Sequence, residues 1–316
     1  MTDPGGLGGP MYEGWMQVAF DTDLCDEVVP VDVAGRPLVA VRSGPHAGVY
    51  DATCPHRGAH LGHGGKVDGV VVVCPFHGHR VHLGLDGNGL FRVRRYHSVH
   101  AAKGLFVLLD PARDTGLGGF LDALQHSHHI VEAFTIRVAV PPEFVIENVF
   151  DADHFAVVHS LDRRPRLEVR SEPGDVLRVE GVFDMVRPNQ WQTGASPDAA
   201  TRTRFSARVF SPTLVASELG PASEPNIIIT AATPTADGTC AVRVTVALPR
   251  HRAAGPPTVR EVASLVSGSR TAFEQDAVVW EHLDPSVVPQ YTEGDQLVRT
   301  YRDYCRRFLP GSPAER

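Results

Sequence analysis

The chain has 316 residues, of which 42% are hydrophobic and 21% are charged, and its formal net charge at pH 7 is −7. This length provides for two domains, or one large domain, with a substantial core. An acidic chain without a basic run is not expected to bind nucleic acid, so we expect small-molecule and protein partners. The sequence has neither a secretion signal nor an apolar stretch of membrane-spanning length, which predicts a soluble, cytoplasmic protein without a membrane partner.

The first third of the chain has the pattern of a small all-β domain. Short apolar runs between residues 15 and 109 are separated by Gly, Pro and Asp, as expected for strands joined by turns. A stretch of Gly, Asp and Pro at 110–119 indicates a boundary, so the predicted domains are 1–118 and 119–316. The clearest strands of the first domain are predicted at 38–41, 48–52, 70–73 and 105–109.

Two of the loops in this domain each carry one cysteine and one histidine. Cys54 and His56 form a C-x-H motif, and Cys74 and His77 form a C-x-x-H motif. Two thiolates and two imidazoles are the ligands of a Rieske [2Fe–2S] cluster, in which the cysteines bind one iron and the histidines the other. With five cysteines and 16 histidines in the chain, this arrangement arises by chance with a frequency of roughly 2 × 10⁻⁴. The motif therefore predicts a site that accepts and passes single electrons.

A zinc site is the alternative, because tetrahedral zinc binds the same four ligands. Zinc sites commonly pair two cysteines in one motif and two histidines in another, whereas each loop here carries one of each. A zinc-stabilised binding module would also be colourless. The spacing favours the cluster, and Gly58 and Gly78 are expected to let the backbone come close to its sulfurs.

The remaining histidines and cysteines near these motifs are predicted to have no metal role. The histidines lie off the ligand pattern and are expected to be solvated or packed loop residues: His60, His63, His79 and His82. The other cysteines are expected to be free thiols, because the chain has no secretion signal and an odd number of cysteines: Cys25, Cys240 and Cys305.

The second part of the chain mixes helices and strands. A strand is predicted to begin at Ile130, a helical segment to span 142–159 and a long helix to span 257–283. The strands between the two helical segments are predicted at 167–169, 176–183, 203–210, 214–219, 226–232 and 241–248. This order predicts an α+β fold of the helix-grip type, in which a curved antiparallel sheet surrounds the long C-terminal helix and a pocket lies between them.

Asp151, His154 and His159 form a second motif, D-x₂-H-x₄-H, within the first of these helical segments. The motif alone is weak, because it arises by chance in about one such chain in twenty. Two histidines and one carboxylate are, however, the ligands of non-haem Fe(II) oxygenases, which leave coordination positions open for O₂. Side chains five residues apart on a regular helix diverge by about 140°, so joint ligation by His154 and His159 predicts an irregularity or a helix end. The alternative is a packed core histidine followed by a helix-ending one.

The third ligand is predicted on the C-terminal helix. Apolar residues recur there at steps of three and four, and Asp276 lies within that apolar stripe. A buried carboxylate needs a partner, and a metal ion is one; a hydrogen bond from a neighbouring side chain is the alternative. Asp151 is then expected to accept an N–H bond from the His154 imidazole or from a histidine of another site. Asn148, one turn earlier, is predicted to point to the same region.

With these motifs, the chain resembles the catalytic α subunits of Rieske non-haem iron oxygenases over nearly its whole length. It is most similar to the 3-ketosteroid 9α-hydroxylase oxygenase group, through residues 146–159, 273–282 and 294–299. The resemblance implies a Rieske [2Fe–2S] cluster and a mononuclear Fe(II) in each subunit. It also implies a homotrimer in which the cluster of one subunit lies near the iron of the next, with Asp151 between them, and a separate reductase or ferredoxin as the electron donor.

The activity implied by the resemblance is hydroxylation of a C–H bond by O₂, on a hydrophobic substrate that is polycyclic or a secondary metabolite. Demethylation and desaturation are alternatives within the same class of enzyme, and a Rieske electron-transfer protein with a ligand-binding domain is the alternative from another class. The substrate pocket is expected between sheet and helix. Its predicted walls are Phe150, Val157, Val158, Phe210, Ile227 and Ile229.

Overall fold

The N-terminal part of the protein consists of three small sheets. The computed structural model describes residues 11–85, 89–161, 163–185, 201–251, 255–284 and 286–312. The strands of the N-terminal part are β1 (Trp15–Phe20), β2 (Val28–Val33), β3 (Arg36–Ser43), β4 (His46–Asp51), β5 (Lys66–Asp68), β6 (Val71–Val73), β7 (Arg80–Leu83), β8 (Phe91–Val93), β9 (His97–Ala101) and β10 (Gly104–Leu108). They form sheets in the orders β1-β10-β9, β2-β3-β4 and β5-β6-β7-β8. The predicted all-β domain is confirmed.

The second part is built on one large antiparallel sheet. Its elements are α1 (Leu117–Ser127), β11 (His128–Val138), α2 (Pro142–Glu147), α3 (Ala152–Val157), β12 (Arg166–Glu172), β13 (Val176–Met185), β14 (Thr201–Ser211), β15 (Leu214–Leu219), β16 (Asn226–Pro234), β17 (Cys240–Pro249), α4 (Val259–Trp280) and α5 (Gln296–Arg306). The seven strands lie in the order β11-β17-β16-β15-β14-β13-β12. The predicted α+β arrangement is confirmed. Helices α1 and α5 were not predicted from the sequence.

Helix α4 lies on one face of this sheet. It begins at a capping box, in which the Thr258 hydroxyl accepts from the Glu261 N–H at 3.2 Å and the Glu261 carboxylate accepts from the Thr258 N–H at 2.8 Å. Leu265 packs against Val246 and Leu248 of β17 and holds the helix on the sheet. Over the described ranges, the helices are each too short or too polar to cross a membrane.

The opposite face of the sheet packs against α1 and the N-terminal strands. Trp15 and Phe106 of the small sheet contribute to this core together with Leu121 of α1. The same core contains Phe210, Ile227 and Ile229, three of the predicted pocket walls. Because side chains alternate between the two faces of a strand, Ile228 and Thr230 point to the α4 side. A second, larger core includes Phe155 and Phe205 of the α4 side and also contains N-terminal residues such as Met16 and Val107.

Candidate metal centres

The two Cys/His loops have the same backbone hydrogen bonds. In loop 54–59 the Cys54 N–H donates to the Ala59 carbonyl at 2.8 Å, and in loop 74–79 the Cys74 N–H donates to the His79 carbonyl, also at 2.8 Å. Each cysteine carbonyl in turn accepts from the N–H of the residue four positions later, at 2.9 and 3.0 Å. The loops differ in where the histidine falls, two positions after the cysteine in the first and three in the second.

A glycine occupies the same turn position in both loops. Gly58 has a φ of 78° and Gly78 a φ of 72°, the left-handed region in which other residues are strained. No neighbouring atom lies within 4 Å of the place where a Cβ would stand on either glycine. Backbone conformation, rather than lack of space, is therefore what requires glycine here.

The cysteines lie deep in the loops and the histidines lie near the surface. Cys54 and Cys74 are 1% and 2% exposed and belong to the core of the ligand-loop region, whereas His77 is exposed. The imidazoles of His56 and His77 lie with their ring centroids 4.8 Å apart. An iron bound by the histidines would lie at the outer end of such a site, where a partner protein can approach.

These four residues fit a [2Fe–2S] cluster. Cys54 and Cys74 are both free thiols, and burial raises the pKa of the Cys54 thiol. The Nδ1 atom of His56 is buried without a hydrogen-bond partner among the described residues. Two buried sulfurs and an unpartnered ring nitrogen suit metal ligation, because metal binding supplies the missing partner.

The histidines outside the ligand pattern pack within the same loops. The His79 ring lies 4.3 Å from the His56 ring and 4.8 Å from Phe91, and the rings of His60 and His63 lie 4.7 Å apart. His60, His63 and His79 thus contact neighbouring rings, whereas His82, predicted in a loop, lies in strand β7. The five cysteines, including Cys25, Cys240 and Cys305, are free.

The structure brings His154, His159 and Asp276 together under α4. Nε2 of His154 lies 3.1 Å from Oδ1 of Asp276, and Nε2 of His159 lies 3.4 Å from the same oxygen. One donor atom from each residue falls within 4.8 Å of the others, and Asp276 is 7% exposed. Two imidazoles and one carboxylate in this arrangement fit a mononuclear iron with open positions.

The chain achieves this convergence by ending α3 between the two histidines. Helix α3 ends at Val157, and Ser160 adopts a φ of 53°, so the backbone turns sharply after His159. The irregularity predicted between His154 and His159 is confirmed. The predicted helical segment 142–159 consists of α2, a 3₁₀ turn at Asn148–Phe150, an extended Asp151 and α3.

Asp151 is the N-cap of α3. Its Oδ1 accepts from the backbone N–H groups of Asp153 at 2.9 Å and His154 at 3.1 Å. Nδ1 of His154 is buried without a hydrogen-bond partner among the described residues, so the predicted bond from this imidazole to Asp151 is not formed. The carboxylate is instead engaged by the first turn of its own helix. A bond to a histidine of another subunit stays a prediction.

Gln275 is a site residue that the sequence reasoning missed. Its Oε1 lies 3.0 Å from Nδ1 of His159, while Nε2 of the same ring faces Asp276. This contact orients the imidazole with Nε2 toward the metal position. Burial lowers the pKa of His159, which favours the neutral form that binds metals. The position of Gln275 directly before Asp276 was the one available signal.

An apolar cavity of about 700 Å³, including its opening to solvent, lies beside the three donors. Asn148 lines it together with the three donors. The apolar lining is Val145, Val149, Phe155, Phe183, Phe205, Val215, Leu219, Ile228, Ala272 and Phe273. The polar lining beyond the three donors and Asn148 is Ser217, Thr230 and Ser269. This largely apolar lining suits a small hydrophobic ligand.

Two protein-family models match the chain. The Rieske [2Fe-2S] domain matches residues 14–89, and the 3-Ketosteroid 9alpha-hydroxylase C-terminal domain matches residues 120–309. The chain belongs to the Rieske non-haem iron oxygenases. Members of this family use a Rieske cluster together with a mononuclear iron, in agreement with the predicted cofactors.

Individual Rieske oxygenases share only a modest sequence identity with this chain. The oxygenase component of chloroacetanilide N-alkylformylase from Rhizorhabdus wittichii is 27% identical over 59% of this chain and 56% of its own length. Cholesterol 7-desaturase from Bombyx mori is 26% identical over 96% of this chain and 70% of its own length. The chain thus spans little more than half the length of the first of these relatives.

Solved structures of Rieske oxygenases share the fold. NdmA from Pseudomonas putida CBB5, solved with caffeine, superposes with a TM-score of 0.70 at 19% identity, over 96% of both chains. Dicamba monooxygenase bound to 3,6-dichlorosalicylic acid superposes with a TM-score of 0.68 at 18% identity, over 94% of this chain and 97% of that one. At these identities, the likeness concerns the fold alone.

The predicted cavity walls were wrong for this Rieske oxygenase. Phe210, Ile227 and Ile229 lie on the far face of the sheet. Phe150 stacks on Tyr301 with ring centroids 4.7 Å apart, and Val157 is 78% exposed. The remaining predicted wall, Val158, also lies outside the lining. The walls are instead the alternate residues of the same strands and the inner face of α4.

A buried ion-pair cluster anchors the segment that precedes the iron ligands. Arg302 of α5 contacts Glu147 at 2.6 Å and Glu143 at 3.4 Å, both on α2, and its guanidinium lies 4.4 Å from the ring centroid of Phe144. Burial raises the pKa of Glu147 to about 7. Because Asn148 directly follows Glu147, this cluster holds one wall of the cavity in place.

Proposed function

We propose that this chain is a terminal oxygenase component, which uses O₂ and externally supplied electrons to hydroxylate a C–H bond of a hydrophobic substrate. The observation that carries the proposal is the convergence of His154, His159 and Asp276 on the wall of an apolar cavity. An electron carrier has no use for such a triad beside a cavity. The similarity to the 3-ketosteroid 9α-hydroxylase C-terminal domain supports a polycyclic substrate.

We assign the electron-accepting role to residues 1–118, with Cys54, His56, Cys74 and His77 as ligands of the cluster. The exposed His77 supports electron entry and exit at the surface of this domain. Residues 119–316 would then hold the iron through His154, His159 and Asp276. The electron donor would be a separate reductase or ferredoxin.

We further propose a homotrimer in which the histidine end of one cluster faces the iron site of the neighbouring subunit. Asp151, one residue before α3, would lie between the two centres and Asn148 beside them. Closed heterologous contacts of this kind are an ordinary form of ring symmetry. The free thiols of the chain favour a reducing compartment, and we place the protein in the cytoplasm.

The protein's own residues would position the substrate and the iron ligands, and they would exclude water from the cavity. When bound, iron on three donors offers open positions at which O₂ can be activated. The apolar walls desolvate the substrate and hold a C–H bond near the triad. Gln275 fixes the ring of His159, and the Asp151 cap fixes the first turn of the helix that carries His154. Dealkylation or desaturation would use the same residues, and the product formed distinguishes them.

Iron content and EPR of the dithionite-reduced protein test this function. The wild type is expected to hold about three irons per chain and to show a Rieske signal. His154→Ala should lose about one iron and all oxygenation while keeping that signal. His126→Ala, which removes an exposed imidazole elsewhere, is the matched control and should change neither.

Iron content that His154→Ala leaves unchanged would contradict the proposal. Two irons per chain in both proteins, without substrate-dependent O₂ uptake, would favour an electron-transfer protein instead. A colourless protein that contains zinc would overturn both readings.

A further inference from the structure

The wall that α4 contributes to the cavity includes a buried hydroxyl without a partner. The helix lines the cavity with Ser269, Ala272, Phe273 and Asp276, which share one face at steps of three and four. Ser269 is 3% exposed, and its Oγ has no hydrogen-bond partner among the described residues. A buried hydroxyl in this state costs about 1–3 kcal/mol, so its presence on the cavity wall calls for a ligand that pairs with it.

Three other helical hydroxyls in the described part of the chain bond to their own helix. Ser127, Thr271 and Thr300 each donate to the carbonyl four residues earlier, at 2.9, 3.1 and 3.0 Å. This local bond is the usual resolution for Ser and Thr within a helix. Ser269 does not make it, so its O–H remains available to a molecule in the cavity.

Ser269 lies at a defined distance from the iron ligands. It precedes Asp276 by seven residues, which corresponds to about 10 Å along the axis of α4. The neighbouring strands β15 and β16 add the hydroxyl-bearing residues Ser217 and Thr230 to the lining. The cavity therefore has a metal end at Asp276 and the Ser269 hydroxyl about two helical turns away along α4.

The charge of the lining limits what can bind there. Apart from His154, His159 and Asp276, the lining residues of this cavity in the described part of the chain are uncharged. A carboxylate or ammonium group would lose its hydration without gaining an ionic partner. A carbonyl or hydroxyl oxygen, by contrast, can pair with Ser269 at little cost.

We propose that Ser269 is a substrate-recognition residue that hydrogen-bonds a neutral oxygen of the substrate. The substrate is then an elongated, largely apolar molecule whose carbonyl or hydroxyl group lies about two helical turns along α4 from the end that is oxidised. This inference rests on the proposed function, because the triad defines the reacting end of the cavity.

Three rigid probes of similar shape test the assignment on the full-length protein depleted of its mononuclear iron, so that no probe can bind the metal: 4-phenylcyclohexanone, phenylcyclohexane and 4-phenylcyclohexanecarboxylate. Their dissociation constants are measured by calorimetry for the wild type and for Ser269→Ala. The ketone is expected to bind Ser269→Ala about 5–10-fold more weakly than it binds the wild type, the scale of one lost hydrogen bond. The hydrocarbon should bind both proteins within a factor of two. The carboxylate should bind the wild type more weakly than the ketone does.

Ser264→Ala is the matched control, because it removes an exposed hydroxyl from the same helix and should leave all three affinities unchanged. The proposal would be overturned if Ser269→Ala weakened the binding of ketone and hydrocarbon equally, or weakened neither. It would also be overturned if the wild type bound the carboxylate more tightly than the ketone, or did not bind the ketone. Probe binding does not require iron, so failure here is distinct from failure of the iron test with His154→Ala.

Discussion

The two candidate metal centres are built in opposite ways. The cluster loops place each cysteine within three residues of its histidine, and the same backbone hydrogen bonds hold both loops. The iron triad instead joins His154 to a carboxylate 122 residues later, across the space between a short broken helix and the long α4. The candidate cluster site is thus formed within two short loops, whereas the candidate iron site depends on the packing of elements that are distant in the sequence.

This difference predicts that distant packing residues affect one centre and spare the other. Helices α2, α3 and α4 must keep their relative positions for the iron triad to converge. The cluster loops need only their own turns and the small sheet beneath them. The effects of substitutions in the two regions can therefore be measured separately: occupancy of the mononuclear iron reports on the triad, and the EPR signal reports on the cluster loops.

The largest effect is expected for Arg302→Met. Removal of this guanidinium leaves Glu143 and Glu147 buried without their cation, which costs about 3–5 kcal/mol of unfolding free energy. Displacement of α2 should also lower occupancy of the mononuclear iron, while the Rieske EPR signal persists. Urea unfolding and metal analysis measure the two effects. Arg306→Met, which breaks an exposed ion pair on the same helix, should cost less than about 1 kcal/mol.

The same variant should have a distinctive pH dependence. In the wild type, burial already raises the pKa of Glu147 to about 7. Loss of the nearby cation should raise the pKa further, so the folded variant holds a proton that its unfolded chain releases. Stability of Arg302→Met relative to the wild type should then fall as the pH rises from about 6 to 9, because the wild-type carboxylate ionises near pH 7 while the variant keeps its proton. A deficit that stays constant over this range would contradict the role of the two carboxylates.

The local character of the cluster loops explains why all four candidate ligands could be assigned from the sequence. Cys54, His56, Cys74 and His77 lie in two short motifs whose spacing is visible in the sequence. Asp276 could be predicted because a carboxylate inside an apolar helical stripe is conspicuous. Gln275 and Arg302 could not, since a polar residue beside such a stripe shows its partner only when the helices are packed.

The prediction of the cavity walls was wrong for a different physical reason. Residues 227–229 are three consecutive isoleucines on a strand that is buried on both faces. Without alternation between apolar and polar residues, the sequence does not indicate which side chain faces α4. Helix α1 was missed because Gly118 and Gly119, in its first turn, are typical of a loop.

A smaller effect, on metal affinity rather than folding, is expected for Gln275→Leu. Loss of the contact to Nδ1 of His159 frees the ring to rotate away from the metal position. Loss of such an orienting contact typically weakens metal binding by about 10–100-fold. Titration of the iron-depleted protein with Fe(II) measures the change, and the cluster signal should be unaffected. Glu274→Gln, on the exposed face of the same helix, is the control; equal affinities in both variants would exclude an orienting role.

The smallest effects are expected in the cluster loops, where Gly58→Ala and Gly78→Ala test their equivalence. Both glycines adopt left-handed backbone at the same loop position, so each substitution should cost about 1–2 kcal/mol. Gly119→Ala, inside α1 with open space around it, should instead gain up to about 1 kcal/mol. Thermal unfolding followed at the cluster absorbance measures all three variants.

Because the hydrogen bonds of the two loops match, the Gly58 and Gly78 variants should lose equal stability and keep full occupancy of the mononuclear iron. A large difference between them would mean that one loop depends on packing that the other lacks, and the contrast between local and distant construction would then hold for one cluster loop only.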